Sequence, residues 1–146
     1  MNDLRELYQE TILDHYRQPR NAGSMVDANR TAEGFNPLCG DKVKLYLKVE
    51  DGVISDARFE GSGCAIATAS ASLMTESIIG KRKEEALQLL EKIHAMVTGG
   101  STMGSMGKLE VLAGVHEFPQ RVKCATLAWH TLKAALENTE EPVSTE

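Results

Sequence analysis

Only three of the 146 residues are cysteine and four are proline, aromatics make up 5%, and there is a single tryptophan. Three cysteines are too few, and odd in number, for a disulfide framework, so the thiols are expected to be reduced and their positions carry the question. No apolar run approaches the ~20 residues a membrane span requires. The N-terminus MNDLRELYQE lacks the apolar core of a signal peptide, which predicts a cytoplasmic protein with no membrane partner. Basic residues are also short, 16 against 21 acidic, giving a net charge of -5 that repels a polyanionic backbone and argues against nucleic-acid binding.

The remaining composition, 42% apolar and 25% charged, is that of an ordinary globular domain. A chain of this length buries a core without needing a metal to hold it together. Asp3 and Glu6 resemble a capping box, and Leu4, Leu7, Tyr8, Ile12 and Tyr16 then recur at helical spacing until Pro19. From Asn21 to Pro37 neither period holds, which predicts an irregular connection with room for a short strand. Val43, Leu45, Leu47 and Val49 alternate with Lys44, Tyr46 and Lys48, a strand with one buried face. Asp51-Gly52 turns it into a second strand, Val53 to Phe59. Two strands alone are marginal, so a third strand or covering helices must complete the layer.

Helices are predicted over Ala65 to Ile79, ending at Gly80; over Glu84 to Val97; over a short piece from Leu109 to Val115; and over Gln120 to Glu137. The stretch 99–107 reads as a mobile loop. The expected fold is one α+β domain over residues 1–137, a small antiparallel sheet packed against helices, followed by a disordered acidic tail, 138–146.

In this frame Cys39 stands in a turn before a strand, Cys64 immediately precedes a helix, and Cys124 falls in or near the first turn of the last helix. A helix N-terminus lowers a nearby thiol's pKa and favours the thiolate, the form that binds metal or attacks sulfur. Gly40, Gly61 and Gly63 permit close backbone approach beside Cys39 and Cys64. Asp41, two residues from Cys39, can point at the same centre. Three sulfurs and one carboxylate suit zinc or an iron–sulfur cluster. A purely structural zinc site, and thiols packed as small hydrophobes, are the competing readings.

Elsewhere, His94 shares its helix's apolar stripe and reads as a packed residue, as do His15, His116 and His130. Thr68, Ser70 and Ser72 lie on a helix without a Ser/His/Asp pattern. Met96, Met103 and Met106 read as filler around the glycine loop.

The motifs LDHYRQPRN (Leu13 to Asn21), NPLCGD (Asn36 to Asp41), GSGCAIATASASLM (Gly61 to Met74) and RVKCATLAW (Arg121 to Trp129) together resemble the SufU and IscU family of iron–sulfur assembly proteins, from about Leu4 to Ala135. Lys123 before the third cysteine, and FPQRVK in place of LPPVK, make the likeness one to SufU. The resemblance implies the family's α+β fold and the ligand set Cys39, Asp41, Cys64 and Cys124, with Arg121 as a supporting basic residue. It also implies a pyridoxal-phosphate cysteine desulfurase of the SufS kind as partner, with SUF assembly proteins or apo iron–sulfur proteins downstream. Two activities follow: zinc-dependent acceptance of persulfide sulfur on Cys39, or service as a scaffold for a transient [2Fe–2S] cluster. A zinc-stabilised module that stimulates its partner without touching sulfur is the non-catalytic alternative.

Overall fold

The structure is a computed structural model, and it describes residues 2–37, 40–99, 107–137 and 143–144. Helix α1 (Asn2–Arg17) leads into three strands, β1 (Arg30–Asn36), β2 (Asp41–Glu50) and β3 (Val53–Ser62). Helices α2 (Ala65–Ile78) and α3 (Lys83–Val97), a 3-10 helical segment (Gly107–Glu117), α4 (Pro119–Leu136) and a two-residue strand β4 (Val143–Ser144) follow. The sheet order is β3-β2-β1-β4, with β1, β2 and β3 antiparallel and β4 parallel to β1. The expected small antiparallel sheet against helices is what forms.

β2 alternates as the sequence predicts: Val43, Leu45 and Leu47 are buried, and Lys42 between them and Asp41 is exposed. The turn after it has positive φ at both Asp51 (52°) and Gly52 (79°), the type I′ geometry whose twist matches a hairpin. The third strand demanded by the hairpin is β1, inside the connection read as irregular. Its inward residues are Ala32, Gly34 and Asn36, too small or polar to raise a hydrophobic signal. Their smallness has a purpose, because a Cβ on Gly34 would collide with Thr131 Oγ1 of α4. The backbone of β1 thus lies directly against α4, which carries Cys124.

The acidic tail was expected to carry no structure, but Val143 and Ser144 pair in parallel with Gly34 and Phe35. β1 would otherwise be the bare edge of the sheet, and its unpaired backbone groups accept even a short strand. The other tail residues, the 100–106 part of the expected loop, Met103, Met106 and the side chains of Leu4, Leu7, Tyr8 and His116 lie outside the described residues.

α2 is the central helix, buried along Ala69–Thr75 and at Ile78. Its small residues let neighbours approach and supply polar ties. Ser70 Oγ donates to the Ala125 carbonyl (2.6 Å) and accepts from Trp129 Nε1 (3.1 Å), fastening α2 to α4. Ser72 Oγ lies 2.7 Å from His15 Nδ1 on α1 and accepts from the Arg20 backbone N–H (2.9 Å). Asn21 Nδ2 donates to Thr75 Oγ1 (3.2 Å). The motif from Leu13 to Asn21 therefore clamps α1 and its exit turn to α2. His15 and Ser72 do form a Ser/His pair, with Glu76 Oε1 3.7 Å from His15 Nε2, which the sequence pattern does not disclose. Both are fully buried, so the pair is a structural bond rather than a nucleophile open to substrate. Replacing His15 by alanine is expected to cost about 2–3 kcal/mol, from the broken buried bond plus the cavity. In thermal unfolding the midpoint should fall by about 5–10 °C, and a shift under 2 °C would refute the clamp.

Candidate metal centre

Strand phase, helix capping and one buried helical turn bring three of the four expected ligands together. Asp41 opens β2 in phase with Val43 and Leu45, so its carboxylate points into the protein and is fully buried. Cys64 is the N-cap of α2, its Sγ accepting the Ala67 N–H at 3.4 Å. Its own backbone N–H donates to Asp41 Oδ1 (2.9 Å), and its thiol lies 4.0 Å from Asp41 Oδ2. Cys124, fully buried on α4, completes a group whose ligand atoms all lie within 4.8 Å of one another.

Gly63 explains how the chain fits around the carboxylate. A Cβ there would stand 2.5 Å from Asp41 Oδ1 and 3.1 Å from Asp41 Cγ, so any side chain would push the carboxylate off the Cys64 amide.

Cys124 corrects one expectation. It sits beyond the first turn of α4, where its Sγ donates to the Gln120 carbonyl (3.5 Å) and no free N–H of the helix start faces it. Of the two described cysteines, only Cys64 stands at a helix start. Burial pushes the Cys124 thiol well above its ordinary value, and the neighbouring Asp41 and Cys64 push it in the same direction.

That shift has a sign that can be tested on metal-free protein. The unfolded chain gives up the Cys124 proton near the ordinary value of 9.0, whereas the folded chain keeps it. Above pH 9 the folded state binds more protons than the unfolded one, so stability falls as pH rises, by up to about 1.4 kcal/mol per pH unit. Urea unfolding between pH 8 and 10.5 should show this loss in the parent and less of it in Cys124→Ala. Parallel curves would refute the buried thiol.

The donor set fits a soft or borderline cation. A fully buried carboxylate normally has a cationic partner or a metal, and among the described residues Asp41 makes no ion pair with any Lys, Arg or His. Thiolates beside one carboxylate match the preference of zinc and of iron–sulfur centres. No histidine enters the group among the described residues. His94 and His130 instead meet edge to face, ring centroids 5.9 Å apart, and burial holds His130 below its usual value. Met96 is buried filler, as read from the sequence. Arg121 is exposed in the first turn of α4, one turn before Cys124, and among the described residues makes no ion pair with Asp41. Cys39 lies outside the described residues.

The sequence matches the NifU-like N terminal domain family over residues 7–144. This chain belongs to that family. Among its relatives, the iron–sulfur cluster assembly scaffold protein IscU of Thermotoga maritima is 46% identical over 140 residues, covering 95% of this chain and 99% of the relative. The zinc-dependent sulfurtransferase SufU of Bacillus subtilis is 41% identical, covering 94% and 95%. A crystal structure named FiSufU, from Fervidobacterium islandicum, superposes with a TM-score of 0.84 at 38% identity, covering 90% of this chain and 98% of that one. The NifU-like family thus spans proteins named as scaffolds and one named as a sulfurtransferase, and the fold is the one expected from the motifs.

One residue of the site escaped the sequence reading. Asn36 is buried at the inward end of β1, paired in register with Asp41, and its Nδ2 points at Cys124 Sγ across 3.9 Å. No hydrophobic period marks β1, so the phase that turns Asn36 inward shows only once the strand is placed. Among the described residues, no helix is long and apolar enough to cross a membrane.

Proposed function

We propose that this chain is an iron–sulfur cluster assembly protein that accepts persulfide sulfur from a cysteine desulfurase, at a zinc site made by Cys39, Asp41, Cys64 and Cys124. The observation that carries the reading is the buried Asp41 carboxylate, held against two thiols and, among the described residues, in no ion pair with a Lys, Arg or His. Cys39 is two residues from Asp41, and covalent geometry alone keeps their Cα atoms within about 7 Å, so a fourth donor is always close at hand. Bound zinc would hold the thiols deprotonated at neutral pH.

The sulfur-accepting step belongs to Cys39. Its thiolate attacks the outer sulfur of the desulfurase persulfide; the new S–S bond forms on Cys39 as the old one breaks, and the desulfurase thiolate leaves with its electron pair. Arg121, exposed in the first turn of α4, is the supporting basic residue of this reading, with a permanent positive charge to offer an anionic sulfur. The desulfurase is the pyridoxal-phosphate enzyme implied by the family likeness, and apo iron–sulfur proteins or other SUF components receive the product. Identity to a protein named a zinc-dependent sulfurtransferase supports this reading.

A second reading is supported by the higher identity to a protein named as a scaffold: the same four residues would hold a transient [2Fe–2S] cargo. Metal analysis of aerobically purified protein separates the two. The first reading expects about one zinc per chain and no visible absorption and is defeated by protein without stoichiometric metal, whereas brown protein carrying iron and sulfide would favour the scaffold.

A further inference from the structure

We propose that Asn36 is a positioning residue of this site: its side-chain amide donates to the Cys124 sulfur, aiming that sulfur at Asp41 and Cys64. The role rests on Cys124 being a metal ligand, as proposed above, and names a residue outside the ligand set.

Three observations converge on one side chain. Asn36 is 1% exposed, at the end of a buried row formed otherwise by Ala32 and Gly34. An amide in such a position costs free energy unless it is bonded, so it is there for a bond rather than for packing. Its Nδ2 reaches Cys124 Sγ, 88 positions away in sequence and on the opposite layer of the fold. Meanwhile its carbonyl accepts the Gly40 N–H at 2.9 Å, and it faces Asp41 across the β1–β2 ladder. One residue thereby links Gly40, the strand of Asp41 and the helix of Cys124.

The choice of an amide is chemically apt. An N–H donor to sulfur strengthens when the sulfur is a thiolate, because the bond becomes charge-assisted. A Lys or Arg in its place would also stabilise the thiolate but would repel a cation bound beside it. A neutral donor orients the sulfur and leaves the negative charge of the group for the metal, as outer-shell partners of metal ligands do.

Two measurements test the proposal. In metal-free, nitrogen-15-labelled protein, the Asn36 side-chain amide should exchange with solvent more slowly than the amides of exposed asparagines, and Cys124→Ala should abolish that protection. In the metal-loaded series, Asn36→Ala should lower zinc affinity about tenfold to a hundredfold and shift the sulfur-to-cobalt charge-transfer band of the cobalt-substituted protein. An amide whose protection survives Cys124→Ala overturns the proposal, as does an Asn36→Ala protein with parental affinity and spectrum. Failure of the parent chain itself to take up zinc overturns the metal site and this role with it; parental binding left untouched by Asn36→Ala overturns the role of Asn36 alone.

Discussion

Serine in place of Cys64 or Cys124 is expected to weaken zinc binding by about a hundredfold each. Structural zinc binds with an apparent free energy of roughly 10–16 kcal/mol, and four ligands sharing it contribute about 3 kcal/mol apiece, which is two decades in affinity. The two variants differ in what else they disturb. Cys124 is fully buried, so Cys124→Ser places a hydroxyl where burial tolerates only a bonded polar group, and the Gln120 carbonyl can accept from it. Cys64 is only partly buried and caps α2, a task a serine hydroxyl performs at least as well. Cys64→Ser should therefore keep or raise metal-free stability while losing zinc, a separation that a merely structural thiol could not produce. Competition against a chromophoric chelator, with thermal unfolding of the metal-free proteins, measures both. Parental zinc affinity in either variant would remove that cysteine from the ligand set.

Much of this architecture was legible before the fold was in view, for identifiable reasons. β2 announces itself because Val43, Leu45 and Leu47 on its inward row are apolar and alternate with Lys44, Tyr46 and Lys48. The Asp51-Gly52 pair is read correctly because only residues tolerant of positive φ suit a two-residue hairpin loop. β1 was foreseen only as room for a short strand, because a strand pressed against the Thr131 and Leu127 side chains of α4 carries small inward residues, and Ala32, Gly34 and Asn36 produce no hydrophobic period. β4 escaped because two residues are below the length at which any period exists.

The site divides along the same line. Cysteines, glycines and the neighbouring aspartate point to metal chemistry by residue type and spacing alone. The contacts of Asn36 with Cys124, and of His15 with Ser72, span 88 and 57 positions respectively, and nothing local in a sequence encodes such pairs. The helix start was expected at Gln120, one residue from where it lies, and only the distance of Cys124 from the unpaired N–H groups was underestimated. Pro119 begins α4 and places the cysteine past the unpaired N–H groups, so its environment is set by burial rather than by the helix terminus.

Sulfur supplied by a desulfurase is expected to accumulate on Cys39, with little on Cys64 or Cys124. Cys64 accepts the Ala67 N–H as a helix cap and its amide is held by Asp41, so freeing it disturbs the start of α2. Cys124 is enclosed on α4, with no exposed surface for a partner's persulfide to meet. Cys39 falls in sequence between the end of β1 at Asn36 and the start of β2 at Asp41, whereas Cys64 and Cys124 are both tied to helices. Attack on a persulfide needs a thiolate that can reach the outer sulfur in line with the S–S bond, so access favours one thiol over the others. After incubation with desulfurase and cysteine, followed by alkylation and peptide mass spectrometry, at least about tenfold more added sulfur should be found on the Cys39 peptide than on either of the others, and Cys39→Ser should abolish it, since a serine hydroxyl is no persulfide acceptor at neutral pH. Sulfur confined to the Cys64 or Cys124 peptide would assign the acceptor role to that residue and leave Cys39 as a ligand only.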